Sequence, residues 1–330
     1  MASRITEALI ANTSAQSFLE WQQSGHTPND IFRITRQIDS ATGWTELCTE
    51  LSKLSGENLA LFEDEINDRA TARKLGACHS RLVAKLTRYW AASAGELAAD
   101  EDGAGDDAPA QPAAITLPSE ERVVDTSSGP VISDGGLKAG EIALTFDDGP
   151  HPTRTERILK ILKEAGVRAT FFEVGEMAKH YSTLPRIVLN DGHTVGSHSW
   201  NHPQLPQLDF ASAQKNIVKG HEAVIAATGI ESSFFRFPYG ARNKALQKFV
   251  SGLGMATFFW NMDSSDWKLR NPAQLFQNVL QELSNAKGGI ILFHDIQEQT
   301  VVVLPSVLRE LKKRNFKTIV FVPKARTPRP

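Results

Sequence analysis

From residue 141 onward the chain alternates short apolar runs with longer amphipathic ones, and this pattern restricts the fold more than any other feature. The short runs are Ile142–Phe146, Ala169–Phe172, His193–Ser197, Phe234–Phe237, Ala256–Trp260, Gly289–Phe293 and Thr318–Val322. Between them the spacing predicts helices over Thr155–Ala165, through Ile187, over 210–227, 243–252 and 272–285, and near 301–314. Strands alternating with helices of this length imply βαβ units and a parallel sheet. Seven such strands within this span suit a closed or nearly closed barrel better than an open sheet.

In barrels of that kind functional groups gather at the C-terminal ends of the strands. The sequence meets that expectation. Asp147 and Asp148 follow the first run, and His198 follows the third. Arg236 to Tyr239 end the fourth, Asp263 and Asp266 follow the fifth, and His294 and Asp295 follow the sixth. Titratable residues therefore collect on one rim.

The first third reads differently. Ile31, Ile34 and Ile38, then Trp44, Leu47, Leu51 and Leu54, recur at helical spacing. So do Leu59, Leu61, Phe62 and Ile66, and then Leu82, Val83, Leu86 and Trp90. Pro28-Asn29-Asp30 predicts a helix start and Gly56 a break. Residues 1–97 are expected to form a small all-α domain of four or five helices, with its Trp residues in the core. Residues 98–115 are small, acidic and free of aromatics; they cannot bury enough apolar surface to order themselves and read as a flexible linker. Residues 116–330 form the remaining domain, entered through loops and short strands at 116–140. Cys48 and Cys78 are either one disulfide or two buried thiols, and their spacing suits neither a metal nor a catalytic role.

A formal net charge of -2 gives no basic field for nucleic acid, and no apolar run approaches the roughly 20 residues that span a bilayer. The first residues lack a basic stretch followed by an apolar core. The compartment is periplasmic or extracellular if a leader has been removed, and cytoplasmic otherwise.

His198-Ser-Trp-Asn-His202 carries two imidazoles four residues apart, which on a helical turn share a face within reach of one ion. Alone this is a weak motif. Thr145-Phe-Asp-Asp-Gly-Pro150 strengthens it. Asp-Gly-Pro is good turn chemistry and accounts for one acid but not for the second. Adjacent residues leaving a strand point different ways, so one carboxylate can ligate a cation while the other faces water. Two His and one carboxylate with open positions suit Zn2+ or another divalent transition ion. His294 is available as a general acid, with a neutral His capping the sheet and a third metal ligand as alternatives. An acid partner such as Asp266 would raise its pKa.

Taken together, residues 141–322 resemble the polysaccharide deacetylase family, carbohydrate esterase family four, with its NodB homology domain. The motifs that carry the likeness are Thr145–Pro150, His198–His202, Arg236-Phe-Pro-Tyr-Gly240, Asp263-Ser-Ser-Asp-Trp267 and Leu292-Phe-His294, in the family's order. The resemblance implies a distorted (β/α)7 TIM-like barrel and one divalent ion, Zn2+ foremost, with Co2+, Ni2+ or Mn2+ as alternatives. It implies Asp147 as general base, Asp148, His198 and His202 as metal ligands, and His294 as general acid. Arg236 would hold Asp147, and Asp266 would orient His294. The backbone N–H of Tyr239 would stabilise the oxyanion, and Trp267 and Leu292 would wall an acetyl pocket. The implied partner is an N-acetylated glycan: peptidoglycan first, then chitin oligomers or poly-N-acetylglucosamine. An O-acetyl esterase or small-molecule amidase with the same site is a second reading, and a catalytically silent glycan-binding module a third. The N-terminal helical region lies outside the resemblance, and no protein partner for it can be named. Glu173 departs from the family, which usually has an apolar residue there; it is expected either at the rim or pointing outward into water.

Overall fold

The computed structural model describes residues 41–54, 56–60, 63–67, 69–101 and 115–324. Contacts divide the chain into two compact units, Met1–Glu96 and Leu97–Pro330. The described part of the first unit is helical: α1 (Ala41–Lys53), α2 (Gly56–Ala60), α3 (Glu63–Asn67), α4 (Arg69–Leu75) and α5 (Ala77–Glu101). Helix α5 runs four residues into the stretch expected to be linker. The expectations for Ile31, Ile34, Ile38, the Pro28 helix start, Leu61, Phe62 and residues 102–114 lie outside the described residues.

Trp44, Leu47, Leu51 and Leu54 are buried, as are Leu59, Ile66, Leu82, Leu86 and Trp90. Their helical spacing thus marks a core stripe, and both described tryptophans of this unit are core residues. Cys48 and Cys78 form a disulfide between α1 and α5.

The second unit is built on a parallel sheet. Its strands are β1 (Ser119–Val124), β2 (Val131–Ile132), β3 (Glu141–Asp147), β4 (Thr170–Glu173), β5 (Thr194–Ser197), β6 (Phe234–Phe235), β7 (Ala256–Phe258), β8 (Met262–Asp263), β9 (Gly289–His294) and β10 (Lys317–Pro323). All seven expected strands are present, β1 and β2 are the short strands expected at 116–140, and β8 is additional. Two residues of ladder leave too little periodicity to read β8 from sequence.

The sheet runs β1-β10-β3-β4-β5-β6-β7-β2, with every ladder parallel. It branches at β3, which also pairs with β9 from Ile142 to Asp147, and β9 pairs with β8. On the other edge of β3, β10 takes Glu141 and Ile142 while β4 takes Thr145 to Asp147.

The crossovers supply α6 (Arg154–Glu164), α7 (Gly175–His180), α8 (Leu184–Asn190), α9 (Phe210–Thr228), α10 (Lys244–Gly252), α11 (Pro272–Ala286) and α12 (Glu298–Lys313). The helix expected to run through Ile187 is two helices, with Pro185 in the first turn of the second. Asp209, Asn243 and Asn271 cap α9, α10 and α11 by accepting a backbone N–H in the first turn.

Side chains alternate across the sheet. Phe146, Phe171 and Phe293 pack with Ile158, Leu162, Val303 and Val307 beneath the helices. Phe172, Phe234, Phe258 and Phe321 form a second cluster on the other face. One residue past Phe146, Phe172, Phe235 and Phe293 stand Asp147, Glu173, Arg236 and His294, so this alternation decides which face each of these groups occupies.

Candidate active site

Asp147 closes β3 in register with His294 of β9 on one side and Phe172 of β4 on the other. Following Phe146, which lies under the helices, it points to the opposite face and is buried. There it meets Arg236, itself fully buried just after β6. One guanidinium nitrogen of Arg236 donates to Asp147 Oδ1 at 2.7 Å and to Thr145 Oγ1 at 2.9 Å, and the other donates to the Phe259 carbonyl at 3.0 Å. The guanidinium also lies 4.3 Å from the Phe172 ring centroid. Burial pushes the Asp147 carboxyl up to about 6, helped by the charge of Asp148 and opposed by Arg236 and His294.

Asp148 takes a left-handed backbone, φ 77°. That turn swings its carboxylate away from the strand's alternation and towards the two histidines. Its Oδ1 lies 3.5 Å from His198 Nε2 and 3.2 Å from His202 Nε2. The His198 Nδ1–H donates to the Arg236 carbonyl at 2.8 Å. Because a carbonyl can only accept, this bond fixes the tautomer and leaves the Nε2 lone pair facing Asp148. Burial lowers the pKa of both histidines, that of His198 well below its usual value, so both are neutral at pH 7. Ligand atoms of Asp148, His198 and His202 lie within 4.8 Å of one another. Asp148 Oδ1 is buried and has no hydrogen-bond partner among the described residues. An orphaned carboxylate oxygen between two neutral imidazole lone pairs suits a divalent cation of borderline softness.

The helical turn expected between the histidines is absent. Residues 198–202 form a turn with left-handed Ser199 (φ 68°) and His202 (φ 57°), and the His202 N–H donates to Ser199 Oγ at 3.1 Å. The imidazoles still converge, with ring centroids 4.9 Å apart.

His294 stands on the other flank of Asp147, its Nε2 4.0 Å from Asp148 Oδ2. Its Nδ1–H donates to Asp266 Oδ1 at 2.6 Å, and its backbone N–H donates to Asp266 Oδ2 at 2.7 Å. Thr300 Oγ1 donates to the same Oδ2 at 2.5 Å. Burial alone would lower the His294 pKa; the charge and hydrogen bond of Asp266 overcome it and hold the imidazole up at about 10. Burial likewise works against the Asp266 carboxylate, but His294 and the bond from Thr300 outweigh it and leave its pKa lowered.

Tyr239 has a left-handed backbone (φ 60°) and an exposed ring 4.4 Å from that of His202. Trp267 is half exposed, and Leu292 is buried in β9 two residues before His294. Asp263 sits apart from this centre; its Oδ1 accepts the Ser265 N–H at 2.7 Å and shapes the turn that presents Asp266.

Thr145, Thr300 and the Phe259 carbonyl also serve these charges. Thr145 could have been found, since it stands in the Asp147-Asp148 segment; Thr300 lies in a helix and carries no local signal. Glu173 answers to neither expectation made for it. One place beyond Phe172, it falls on the helix-covered face and is 1% exposed. Both its carboxyl oxygens lack partners among the described residues. Burial, and then the charge of Asp295, push its pKa well above the usual range. Asp295 is buried on that face too, bonded to Thr155 Oγ1 at 2.5 Å and pushed up to about 7 by burial and by Asp148.

A family model described as polysaccharide deacetylase matches residues 134–258. A chitooligosaccharide deacetylase of Azorhizobium caulinodans is 36% identical over 158 residues, which cover 47% of this chain and 73% of that protein. The chain belongs to the polysaccharide deacetylase family. A peptidoglycan-N-acetylglucosamine deacetylase of Listeria monocytogenes is 38% identical over 178 residues, 54% of this chain and 37% of the relative. The match thus spans less than half the length of that relative. The solved structure of a Bdellovibrio bacteriovorus peptidoglycan deacetylase aligns at a TM-score of 0.82 and 32% identity, covering 98% of this chain and 95% of that one.

Proposed function

We propose that this chain is a metal-dependent glycan N-deacetylase acting on N-acetylglucosamine units, with peptidoglycan as its first substrate and chitin oligomers or poly-N-acetylglucosamine as further ones. The observation that carries this reading is the convergence of the Asp148, His198 and His202 donor atoms beside a buried carboxylate, Asp147, and a cationic imidazole, His294. Names of relatives that act on peptidoglycan and chitooligosaccharide support the substrate class.

Asp148, His198 and His202 would hold one divalent ion, Zn2+ foremost. When bound, it lowers the pKa of water and polarises a carbonyl. The remaining work falls to the chain. Asp147 accepts the proton of the attacking water, and with its pKa near 6 it is ionised at neutral pH yet basic enough to take it. Arg236 keeps that carboxylate pointed at the site through the 2.7 Å bond. His294, still protonated at neutral pH, gives its proton to the leaving amine nitrogen. Asp266 fixes its ring and tautomer. The Tyr239 backbone N–H serves the developing oxyanion, and Trp267 and Leu292 bound the acetyl methyl.

The domain reading belongs to this proposal: a helical N-terminal domain over 1–97, a linker over 98–115, and a distorted (β/α)7 barrel over 116–330 as the catalytic domain. So does the compartment. A Cys48–Cys78 disulfide and relatives named for cell-wall glycans support a periplasmic or extracellular site of action.

Acetate release from N-acetylated glycans tests the proposal. Activity is expected with Zn2+ or Co2+, to vanish with a chelator, and to fall about 10²–10⁴-fold in Asp147→Asn. No release from any acetylated glycan in the presence of these ions sinks it. Faster turnover of acetyl esters than of acetamides would favour the esterase reading instead.

A further inference from the structure

Two of the three candidate ligands ride on a turn whose shape the chain must impose. Ser199 and His202 both hold left-handed backbone, which L-residues rarely adopt unless their surroundings determine it. What surrounds this turn is one face of α9 and the first turn of α7.

The N–H groups of Gly175 and Glu176, at the start of α7, have no partners within their own helix. They donate to the carbonyls of Ser199 (2.9 Å) and Trp200 (2.8 Å). From α9, Asn216 Oδ1 accepts the Trp200 N–H at 2.9 Å, and Asn216 Nδ2 donates to Asn201 Oδ1 at 2.7 Å. One turn further along the same face, Lys219 Nζ lies 3.6 Å from the Trp200 ring centroid. Beside it, Gly220 touches the turn's own backbone. A Cβ there would stand 2.2 Å from the Ser199 carbonyl carbon and 2.3 Å from its oxygen. Gly175 is also tight, its Cβ position 2.6 Å from Gly220 Cα. Positions 216, 219 and 220 share one helix face by their spacing.

We infer that Asn216 and Gly220 of α9 are positioning residues for the metal-ligand turn, Asn216 by clamping the Trp200–Asn201 backbone and Gly220 by letting the helix reach Ser199. They touch neither substrate nor ion; they set where the imidazole of His202 stands relative to Asp148. This rests on the metal-site reading above. Groups that orient metal ligands typically govern affinity about 10–100-fold.

The test is Zn2+ affinity of the full chain, measured by competition with a chromophoric chelator, alongside the melting temperature of the metal-free protein. Asn216→Ala and Gly220→Ala are each expected to weaken affinity about 10-fold or more. Asn216→Asp should retain affinity near wild type, because its carboxylate still accepts the Trp200 N–H and the Asn201 amide can turn to donate. A purely structural residue would lower the metal-free melting temperature in Asn216→Ala without changing affinity, and that result overturns the inference. So does an Asn216→Asp variant as weak as the alanine. Should Asn216→Ala fail to fold, Asn216→Gln, which keeps the amide on a longer arm, carries the same expectation. A wild-type chain that binds no Zn2+ fells the metal site itself and this inference with it, a result distinct from unchanged affinity in the variants.

Discussion

The two faces at the C-terminal end of the sheet treat buried charge in opposite ways. On the face of Phe172 and Phe258 the buried charges stand in opposite-sign pairs: Arg236 with Asp147, and His294 with Asp266. On the helix-covered face Glu173 and Asp295 are as deeply buried, yet Glu173 has no hydrogen bond to its carboxyl and Asp295 has one unpartnered oxygen among the described residues. The contrast teaches what each burial is for. A charge that must stay charged in a dry site needs a counter-charge and fixed donors. Groups on the other face carry no such demand, and desolvation lifts their pKa values towards the neutral form.

Breaking the partnered face should have the largest effect. Arg236→Met leaves Asp147 buried without its cation and is expected to cost about 3–5 kcal/mol in urea unfolding, with much of it recovered in the double variant carrying Asp147→Leu. A loss near zero would mean that the pair is not what keeps this face charged.

The unpartnered face should respond with the opposite sign. Glu173→Leu removes an unsatisfied buried carboxyl close to the like charge of Asp295, and is expected to stabilise the fold by about 1–3 kcal/mol while acetate release stays unchanged. A destabilised Glu173→Leu would show that the carboxyl has an ordered partner, and the contrast between the faces would collapse.

His193 extends the comparison to the opposite end of β5. Its Nδ1 accepts the Ala169 N–H at 3.0 Å, and its Nε2 is buried without a partner among the described residues. Burial lowers its pKa to about 4. The unfolded chain therefore binds a proton near the ordinary histidine value, while the folded one resists until about 4. Its contribution is unaffected above about pH 6.5, falls as pH drops from there, and levels off below the folded pKa. Relative to a His193→Gln variant, wild-type stability should decline by up to about 1.4 kcal/mol per pH unit across that window. Parallel curves for the two proteins would rule out a buried neutral His193.

Much of the fold was legible because it depends on period. Apolar runs one strand long, separated by amphipathic stretches, specify βαβ units whatever the tertiary detail, and each of the seven runs holds a strand. Asp147, Asp148, His198, His202 and His294 were legible for a related reason: strand ends on one rim place their side chains together. The supporting groups were not. Thr300 and Asn216 come from helices, and each meets its partner only through packing. The turn at 198–202 differs from the helical turn its spacing predicts, because four-residue spacing is shared by a helix and by this left-handed turn. The branch at β3 was invisible because it depends on which strand pairs with each half of one edge.

The sequence by itself determined the parallel α/β class, the helical character of the described first unit and the residues that meet at the rim. Each of these follows from local periodicity and chain order. Only the tertiary structure decided the fate of each buried charge. Whether an ionisable side chain is satisfied depends on atoms contributed by segments far away in the chain, as the 89-residue separation of Arg236 from Asp147 illustrates. One residue's step past a phenylalanine sent Asp147 to a guanidinium, while the same step sent Glu173 to a face where it has no partner among the described residues.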